Sequence, residues 1–268
     1  MPTSIYPTRP ETGTVLHWRE GHVAHVRFNR PTALNALDVD MTVLFRQACD
    51  EIAADPLVRV LVISGEGRAF QAGGDVAALA ADPEAIGRSL IEHMHSAIQT
   101  LNQLRCPVMA VVHGAAAGAA IGILMACDLV LAADDTKFSL AFPALGASAD
   151  SSSTWGLPRV MGLRRAMRFA LLGESIDAAQ ALQDGLVSAT VPLADLDAEG
   201  ARWAARIARS APLALGAVKK LLRSSINHSL PEHLVAEAEA FMACSRTDDF
   251  KEGTAAFLAK RKPDFKGQ

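Results

Sequence analysis

From Pro107 to Asp128 the chain reads Pro-Val-Met-Ala-Val-Val-His-Gly-Ala-Ala-Ala-Gly-Ala-Ala-Ile-Gly-Ile-Leu-Met-Ala-Cys-Asp, with no charged side chain before the final Asp. Val108 to Val112 is short, apolar and Val-rich, the signature of a buried strand. Gly114 to Gly122 carries almost no side-chain volume, so another backbone or a flat ligand can approach closely. Ile121, Leu124 and Met125 then fall at helical spacing, which predicts a helix starting near Gly118–Ala119. A strand that breaks at glycine and restarts as a helix leaves backbone N–H groups unpaired at the positive end of the helix dipole. Such a turn suits an anion or a developing oxyanion. Hydropathy alone would also allow a bilayer span, with Gly114, Gly118 and Gly122 as a small-xxx-small helix-pairing motif. Pro107, the Val run and the lack of a second span select strand–turn–helix instead. Asp128-Leu-Val-Leu-Ala-Ala reads as the next buried strand.

The remaining chain alternates in the same way. Val15–Glu20 and Val23–Phe28 flank Gly21 as a hairpin. Asp38 is a candidate N-cap for a helix to about Ala54. Val58–Ser64 is a strand, and the sequence Ala69-Phe-Gln-Ala-Gly-Gly-Asp breaks regular structure again. Ser89–Leu104 is an amphipathic helix with Leu90, Met94, Ile98 and Leu101 on one face. Lys137–Leu140 is a short strand or loop, and Leu145–Ser153 a polar connection. Thr154–Leu172 is helical, interrupted near Gly162. A helix capped by Ser175 closes at Gly185, and Leu186–Val191 is the last strand. From Leu193 the chain is helical. These alternations predict an α/β core over 13–199 and a helical C-terminal region over 200–268.

Composition narrows the function classes. Half of the 268 residues are hydrophobic but only 5% are aromatic, so Ala, Leu and Val fill the core. A net charge of −3 gives no electrostatic case for nucleic acid. Cys49, Cys106, Cys127 and Cys244 are widely spaced, without metal-ligand spacing, and read as thiols in a reducing compartment. The first ten residues carry no apolar signal core and read as a loose extension. The expectation is a cytoplasmic protein, with no membrane partner and no metal.

Two Gly-rich breaks share one design: Ala72-Gly-Gly-Asp after one strand and Ala117-Gly-Ala-Ala after another. Paired backbone N–H donors from separate turns are what acyl-transfer or enolate chemistry needs, because the carbonyl oxygen gains charge in the transition state.

Several segments, in order, resemble the crotonase (enoyl-CoA hydratase/isomerase) superfamily. They are Ala33-Leu-Asn-Ala-Leu, Arg68-Ala-Phe-Gln-Ala-Gly-Gly-Asp, Pro107-Val through His113-Gly-Ala-Ala-Ala-Gly-Ala, and Cys127-Asp-Leu-Val-Leu-Ala. Ala178-Ala-Gln-Ala-Leu-Gln-Asp-Gly-Leu-Val and the ending from Glu252-Gly to Lys260-Arg-Lys-Pro-Asp-Phe complete the match over about residues 13 to 266. The resemblance implies a spiral of ββα units with a C-terminal helical trimerisation region, assembled as a homotrimer or dimer of trimers. It implies a coenzyme A thioester as substrate, with no separate cofactor, its carbonyl held by the N–H groups of Gly74 and Ala119. Ala33, Leu34 and Ala36, with Ala72, Gly73 and Asp75, would line the CoA groove, and Lys260 would reach the nucleotide phosphates.

Hydratases of this superfamily use two glutamates. Aligned on the Gly-rich turn and on Lys137-Phe138, those positions are Gly122 and Phe142 here, so hydration loses both of its acid/base groups. An acidic candidate remains in Asp150, within Asp150-Ser-Ser-Ser-Thr-Trp-Gly-Leu-Pro-Arg. It matches an Asp of the phenylacetate-pathway enoyl-CoA isomerases, whose motif has Gly-Gly where Ser152-Ser153 stand, and the nucleophilic Asp of 4-chlorobenzoyl-CoA dehalogenases. On residue type alone Asp150 is equally a loop residue or a cap for the following helix. His95 occupies the dehalogenases' His position, although Leu90, Met94 and Ile98 also make it a surface or satisfied residue of a packed helix. His113 ends a strand and reads as structural. Phe142, Leu145 and Trp155 would form an apolar wall beside Asp150. The expected activity is enoyl-CoA isomerisation, with Asp150 moving the proton. The alternatives are hydrolytic dehalogenase-like attack by Asp150 with His95, or acyl-CoA binding without turnover.

Overall fold

A computed structural model describes residues 9–268; most of the N-terminal extension lies outside the described residues. The strands are β1 (Val15–Glu20), β2 (Val23–Phe28), β3 (Val60–Gly65), β4 (Val108–Val112), β5 (Ala115–Ala117), β6 (Leu129–Ala133), β7 (Lys137–Ser139), β8 (Ile176–Asp177) and β9 (Ala189–Val191). The helices are α1 (Val39–Ala54), α2 (Val76–Ala81), α3 (Pro83–Gln103), α4 (Ala119–Ala126), α5 (Ser153–Met161), α6 (Leu163–Leu172), α7 (Ala178–Gln183), α8 (Leu196–Ala208), α9 (Pro212–Ser224), α10 (Leu230–Ser245) and α11 (Asp248–Leu258).

The main sheet has the order β1-β2-β3-β4-β6-β9, parallel throughout except for the β1/β2 hairpin. Its central strands are apolar along their whole length because both faces are covered. On β3, Leu61 and Ile63 face the large core with α1, α3 and α4, while Val60 and Val62 pack with Leu196 and Ala204 of α8. The same alternation divides Ala110 from Val111 on β4 and Val130 from Leu131 on β6. A second sheet, β5-β7-β8, lies beside the first. This mixed α/β architecture with a helical C-terminal region is the one the sequence implies.

Asp38 caps α1, accepting from the Met41 N–H, and α4 starts at Ala119 behind Gly118. The Pro107–Asp128 stretch is therefore strand, short strand and an eight-residue helix. No helix of the described residues is long and apolar enough to cross a membrane.

Some boundaries differ from the sequence reading. The Ser89 helix begins six residues earlier, at Pro83, because the Asp82 side chain accepts from the Ala85 N–H. The helix expected to be capped by Ser175 is capped by Asp177, whose Oδ1 accepts from the Gln180 N–H at 2.8 Å. Ser175 instead leads into β8. Within the Gly-rich turn, Ala115–Ala117 forms β5 by parallel pairing with β7, and Gln71 adds an isolated bridge through backbone bonds with Ala115 and Ala117 at 3.1 and 2.9 Å.

Candidate active site

The two Gly-rich breaks meet. A Cβ added to Gly118 would lie 3.2 Å from the Gly73 Cα, and one added to Gly73 would lie 3.4 Å from the Ala117 carbonyl oxygen. Both glycines have positive φ, 95° and 57° for Gly73 and Gly118, so the close approach and the turn geometry each favour glycine. Among the described residues, no hydrogen bond engages the N–H groups of Gly74 or Ala119.

The Ala33–Leu37 loop is tied to the first break. Leu37 N–H donates to the Gly73 carbonyl at 2.8 Å, and Asp75 N–H donates to the Leu37 carbonyl at 2.9 Å. Ala33 ends a short 3-10 turn and Leu34 takes a left-handed φ of 53°. Ala33, Leu34, Ala36 and Ala72 are all partly exposed along this edge. Asn35 holds the loop from inside: fully buried, it donates to the carbonyls of Glu66, Ala69 and Phe70 and accepts from the Arg30 N–H. Asp75 caps α2 through the Ala77 and Ala78 N–H groups and pairs with Arg30 at 2.7 Å. The Arg30 guanidinium first, then the Ala78 N–H, holds its carboxyl below the usual carboxylate range.

A second pair of candidate residues lies on α3 and in the loop before α5. His95 projects from α3 beside buried Met94, and its Nε2 stands 2.7 Å from Asp150 Oδ1. An ionised carboxylate only accepts, so the imidazole donates. Ser151 Oγ donates to Asp150 Oδ2 at 3.3 Å, and the Ser153 Oγ and N–H donate to the Asp150 carbonyl at 2.7 and 3.1 Å. Asp150 is therefore not the cap of α5; that position is Ser152, without a side-chain capping bond. The pair joins the Gly-rich turns through two contacts. Leu90, on the same helix as His95, comes within 3.9 Å of where a Gly74 Cβ would stand, and Ser151 rests on Gly122 of α4.

The apolar wall is more open than the sequence implies. Phe142 packs on the core, but Leu145 and Trp155 are 57% and 49% exposed. Trp155 carries Arg159 on its ring, with Cζ 3.9 Å from the centroid. His113 Nε2 bonds the Gly67 carbonyl oxygen at 2.8 Å. Lys260 follows α11, exposed, with a left-handed φ of 52°. No hydrogen bond or ion pair among the described residues joins its ammonium to the Ala33–Leu37 loop. Ser151, Ser153 and Asn35 are the site residues that sequence reasoning passed over. Asn35 was detectable as the lone polar residue of Ala-Leu-Asn-Ala-Leu, whereas the serines acquire their roles only from the folded loop.

Residues 19–268 match the family model described as enoyl-CoA hydratase/isomerase. The chain belongs to that family. Within it, the chain is 37% identical to the 2,3-dehydroadipyl-CoA hydratase of Escherichia coli, covering 93% of this chain and 97% of that protein. It is 33% identical to the 1,2-epoxyphenylacetyl-CoA isomerase of the same organism, covering 95% and 98%. The crystal structure of an enoyl-CoA hydratase from Polaromonas sp. JS666 superposes with a TM-score of 0.89 at 32% identity, covering 95% of this chain and all of that one. Family members named for hydration and for isomerisation thus share this fold at similar identity.

Proposed function

We propose that this family member isomerises an enoyl-CoA by moving a proton between carbons of the acyl group. The observation that carries the reading is the 2.7 Å contact between Asp150 and His95, on elements that pack on the same region as the two turns: Leu90 of α3 near Gly74, and Ser151 against Gly122 of α4. The thioester carbonyl accepts from the Gly74 and Ala119 N–H groups, which lowers the cost of the enolate. Asp150 takes the proton from one carbon and returns it to another, while His95 fixes which carboxylate oxygen is presented. Ala33, Leu34, Ala36, Ala72 and Gly73 line the CoA groove, with Lys260 the cation for its phosphates. Coenzyme A enters as part of the substrate and no further cofactor takes part. The relative named as an isomerase supports this reading. The Gly and Phe at positions 122 and 142 argue against hydration.

The test is direct. Crotonyl-CoA hydration should be negligible, and conversion of a 3-enoyl-CoA to its conjugated isomer should be measurable by absorbance. Asp150→Asn keeps the shape without the base and should lower kcat/KM by about a hundredfold or more. Rapid hydration, or full isomerase activity in Asp150→Asn, would overturn the reading.

The same contact also supports a second reading, hydrolytic dehalogenation: Asp150 attacks a ring carbon of a halogenated acyl group and expels halide to form an ester, which water hydrolyses with His95 taking its proton, regenerating the carboxylate. Single turnover in heavy-oxygen water separates the two, since only the nucleophilic route places the label in the Asp150 carboxylate. Acyl-CoA binding without turnover of any thioester would leave a binding protein.

The assembly follows from the C-terminal helices. No residue of α10 is buried, and Leu222, Leu230, Leu234, Val235 and Phe241 all stand exposed. So large an apolar surface needs a partner, and a second and third copy of the chain supply it, as a homotrimer or a dimer of trimers. Light scattering that returned a stable monomer at micromolar concentration would contradict this.

A further inference from the structure

Gly122 sits in the middle of α4, every residue of which is buried. Glycine there costs about 1 kcal/mol relative to alanine, so the position calls for a reason. A Cβ on Gly122 would lie 1.8 Å from the Ser151 carbonyl oxygen, 2.7 Å from its carbon and 2.7 Å from the Ser151 Cβ. Two of those three atoms are backbone and cannot swing aside. The loop that lies there is itself held in an uncommon conformation: Ser151 and Ser152 both have left-handed φ, 55° and 65°. Such strain in non-glycine residues persists only where the surroundings enforce it. Ser151 is 1% exposed, and Ser152 Oγ donates to the Gly122 carbonyl at 3.4 Å.

We infer that Gly122 is a positioning residue: it is the seat for the Ser151 carbonyl, and through that seat it aims Asp150 at His95. The inference deepens the proposed function and rests on Asp150 being the reactive group. Its geometry, however, is independent of which reaction Asp150 performs. Ser151 is covalently next to Asp150 and bonds its Oδ2, while His95 bonds Oδ1. Displacing the Ser151 backbone therefore moves the Asp150 carboxylate and its Ser151 partner relative to His95 on α3. The scaffold accommodates either a side chain at position 122 or the Asp150–His95 pair, and not both.

The experiment is Gly122→Ala in the full-length protein, read in two ways. The first is the NMR signal of the His95 imidazole at one fixed pH, assigned by its absence in His95→Ala. The second is the split between kcat and KM for the enoyl-CoA isomerisation. The His95 signal should move to the position seen in Asp150→Asn, and kcat should fall at least about tenfold with KM within about twofold. Gly216→Ala is the control, because its Cβ would meet the Arg105 carbonyl oxygen at 2.6 Å, on α9. It should lower the melting temperature while leaving the His95 signal and kcat unchanged. If Gly122→Ala does not fold, Ser152→Ala adds no atom but frees the loop from the Gly122 carbonyl, and should move the same signal in the same direction. A wild-type His95 signal in the folded Gly122→Ala, or in Ser152→Ala where that variant stands in, overturns the seat. An equal displacement in Gly216→Ala does so too. A displaced signal in a protein without isomerase activity keeps the seat and discards the proposed reaction.

Discussion

The Asp150 carboxylate and the His95 imidazole meet at 2.7 Å across a separation of 55 residues. Neither local element dictates the contact. His95 lies on a helix whose buried face is Leu90, Met94, Ala97, Ile98 and Leu101, so the fold of that helix would be the same without an imidazole. Asp150 lies in a loop whose path is set by Ser151 against α4. An exposed ion pair of this kind contributes little stability, up to about 1 kcal/mol, and its side chains are 48% and 27% exposed. Folding therefore gains little from the contact.

Groups that work as one unit give non-additive losses when removed. Asp150→Asn should lower kcat/KM for isomerisation by about a hundredfold, His95→Ala should cost far less unless the dehalogenase-like route operates, and the double variant should be no worse than about Asp150→Asn alone. Steady-state kinetics on the three variants checks this. Multiplying losses would mean that the two side chains act separately.

A second carboxylate, Asp128, fastens α9 to the core. Its Oδ2 takes Lys219 Nζ at 2.9 Å and the Val108 N–H at 2.8 Å, and its Oδ1 takes Arg223 Nε at 2.8 Å. Lys219 is buried and also donates to the Cys106 carbonyl at 2.9 Å. Removing one partner of a buried pair strands the other charge, which costs about 3 to 5 kcal/mol. Asp128→Ala should therefore lose stability of that order in urea unfolding, and α9 should exchange its amide protons faster.

The apolar periods announced the sheet, because a parallel sheet covered on both faces requires uninterrupted apolar strands such as Val108–Val112. The start of α4 was legible for a similarly local reason: the run of Gly and Ala ends where Ile121 and Leu124 begin to repeat. Asp38 showed itself as a cap because capping is decided within four residues. The cap at Asp177 was misread as Ser175 because both are capping residues, and only the pairing of β7 with β8 decides between them. The Asp150–His95 contact was not legible without the resemblance, since two polar residues on a helix and a loop carry no sign of meeting. Gly122 was visible only as an absent glutamate. That it is filled by a backbone carbonyl depends on a loop conformation that serine seldom adopts, so no propensity points to it.

His25 makes a pH prediction. It stacks on Trp18, with centroids 4.6 Å apart and planes 8° apart. Burial pushes its pKa from 6.5 down to about 4; Arg27 and Arg9 add to the shift and Glu20 opposes it. The folded protein therefore resists a proton that the unfolded chain accepts. Between pH 6.5 and about 4 the unfolded state binds more protons, so stability falls as the pH falls through that window. The contribution reaches at most about 1.4 kcal/mol per pH unit. Urea unfolding at several pH values should show the decline, and His25→Gln should flatten it.

The final prediction joins loop stability to substrate binding. Asn35 has a left-handed φ of 58°, which asparagine tolerates better than most residues, and it is fully buried. Its amide satisfies three carbonyls at 2.9, 2.8 and 3.2 Å, and its Oδ1 accepts from the Arg30 N–H at 2.8 Å. Asn35→Ala would leave these groups unpaired in the interior and force a less tolerant residue into the same turn. Since each buried unpaired group costs about 1 to 3 kcal/mol, a loss of about 3 kcal/mol is expected after partial relaxation. The functional consequence separates this residue from an ordinary core position. The Ala33–Leu37 loop that Asn35 holds is the proposed CoA edge, so KM for an acyl-CoA should rise by about tenfold or more while kcat changes far less. Asn35→Asp tests the donors specifically: it keeps the acceptor for Arg30 but cannot donate to the Glu66, Ala69 and Phe70 carbonyls, and it should be as damaging as alanine. An unchanged KM in a folded Asn35→Ala variant would remove the Ala33–Leu37 loop from the substrate groove.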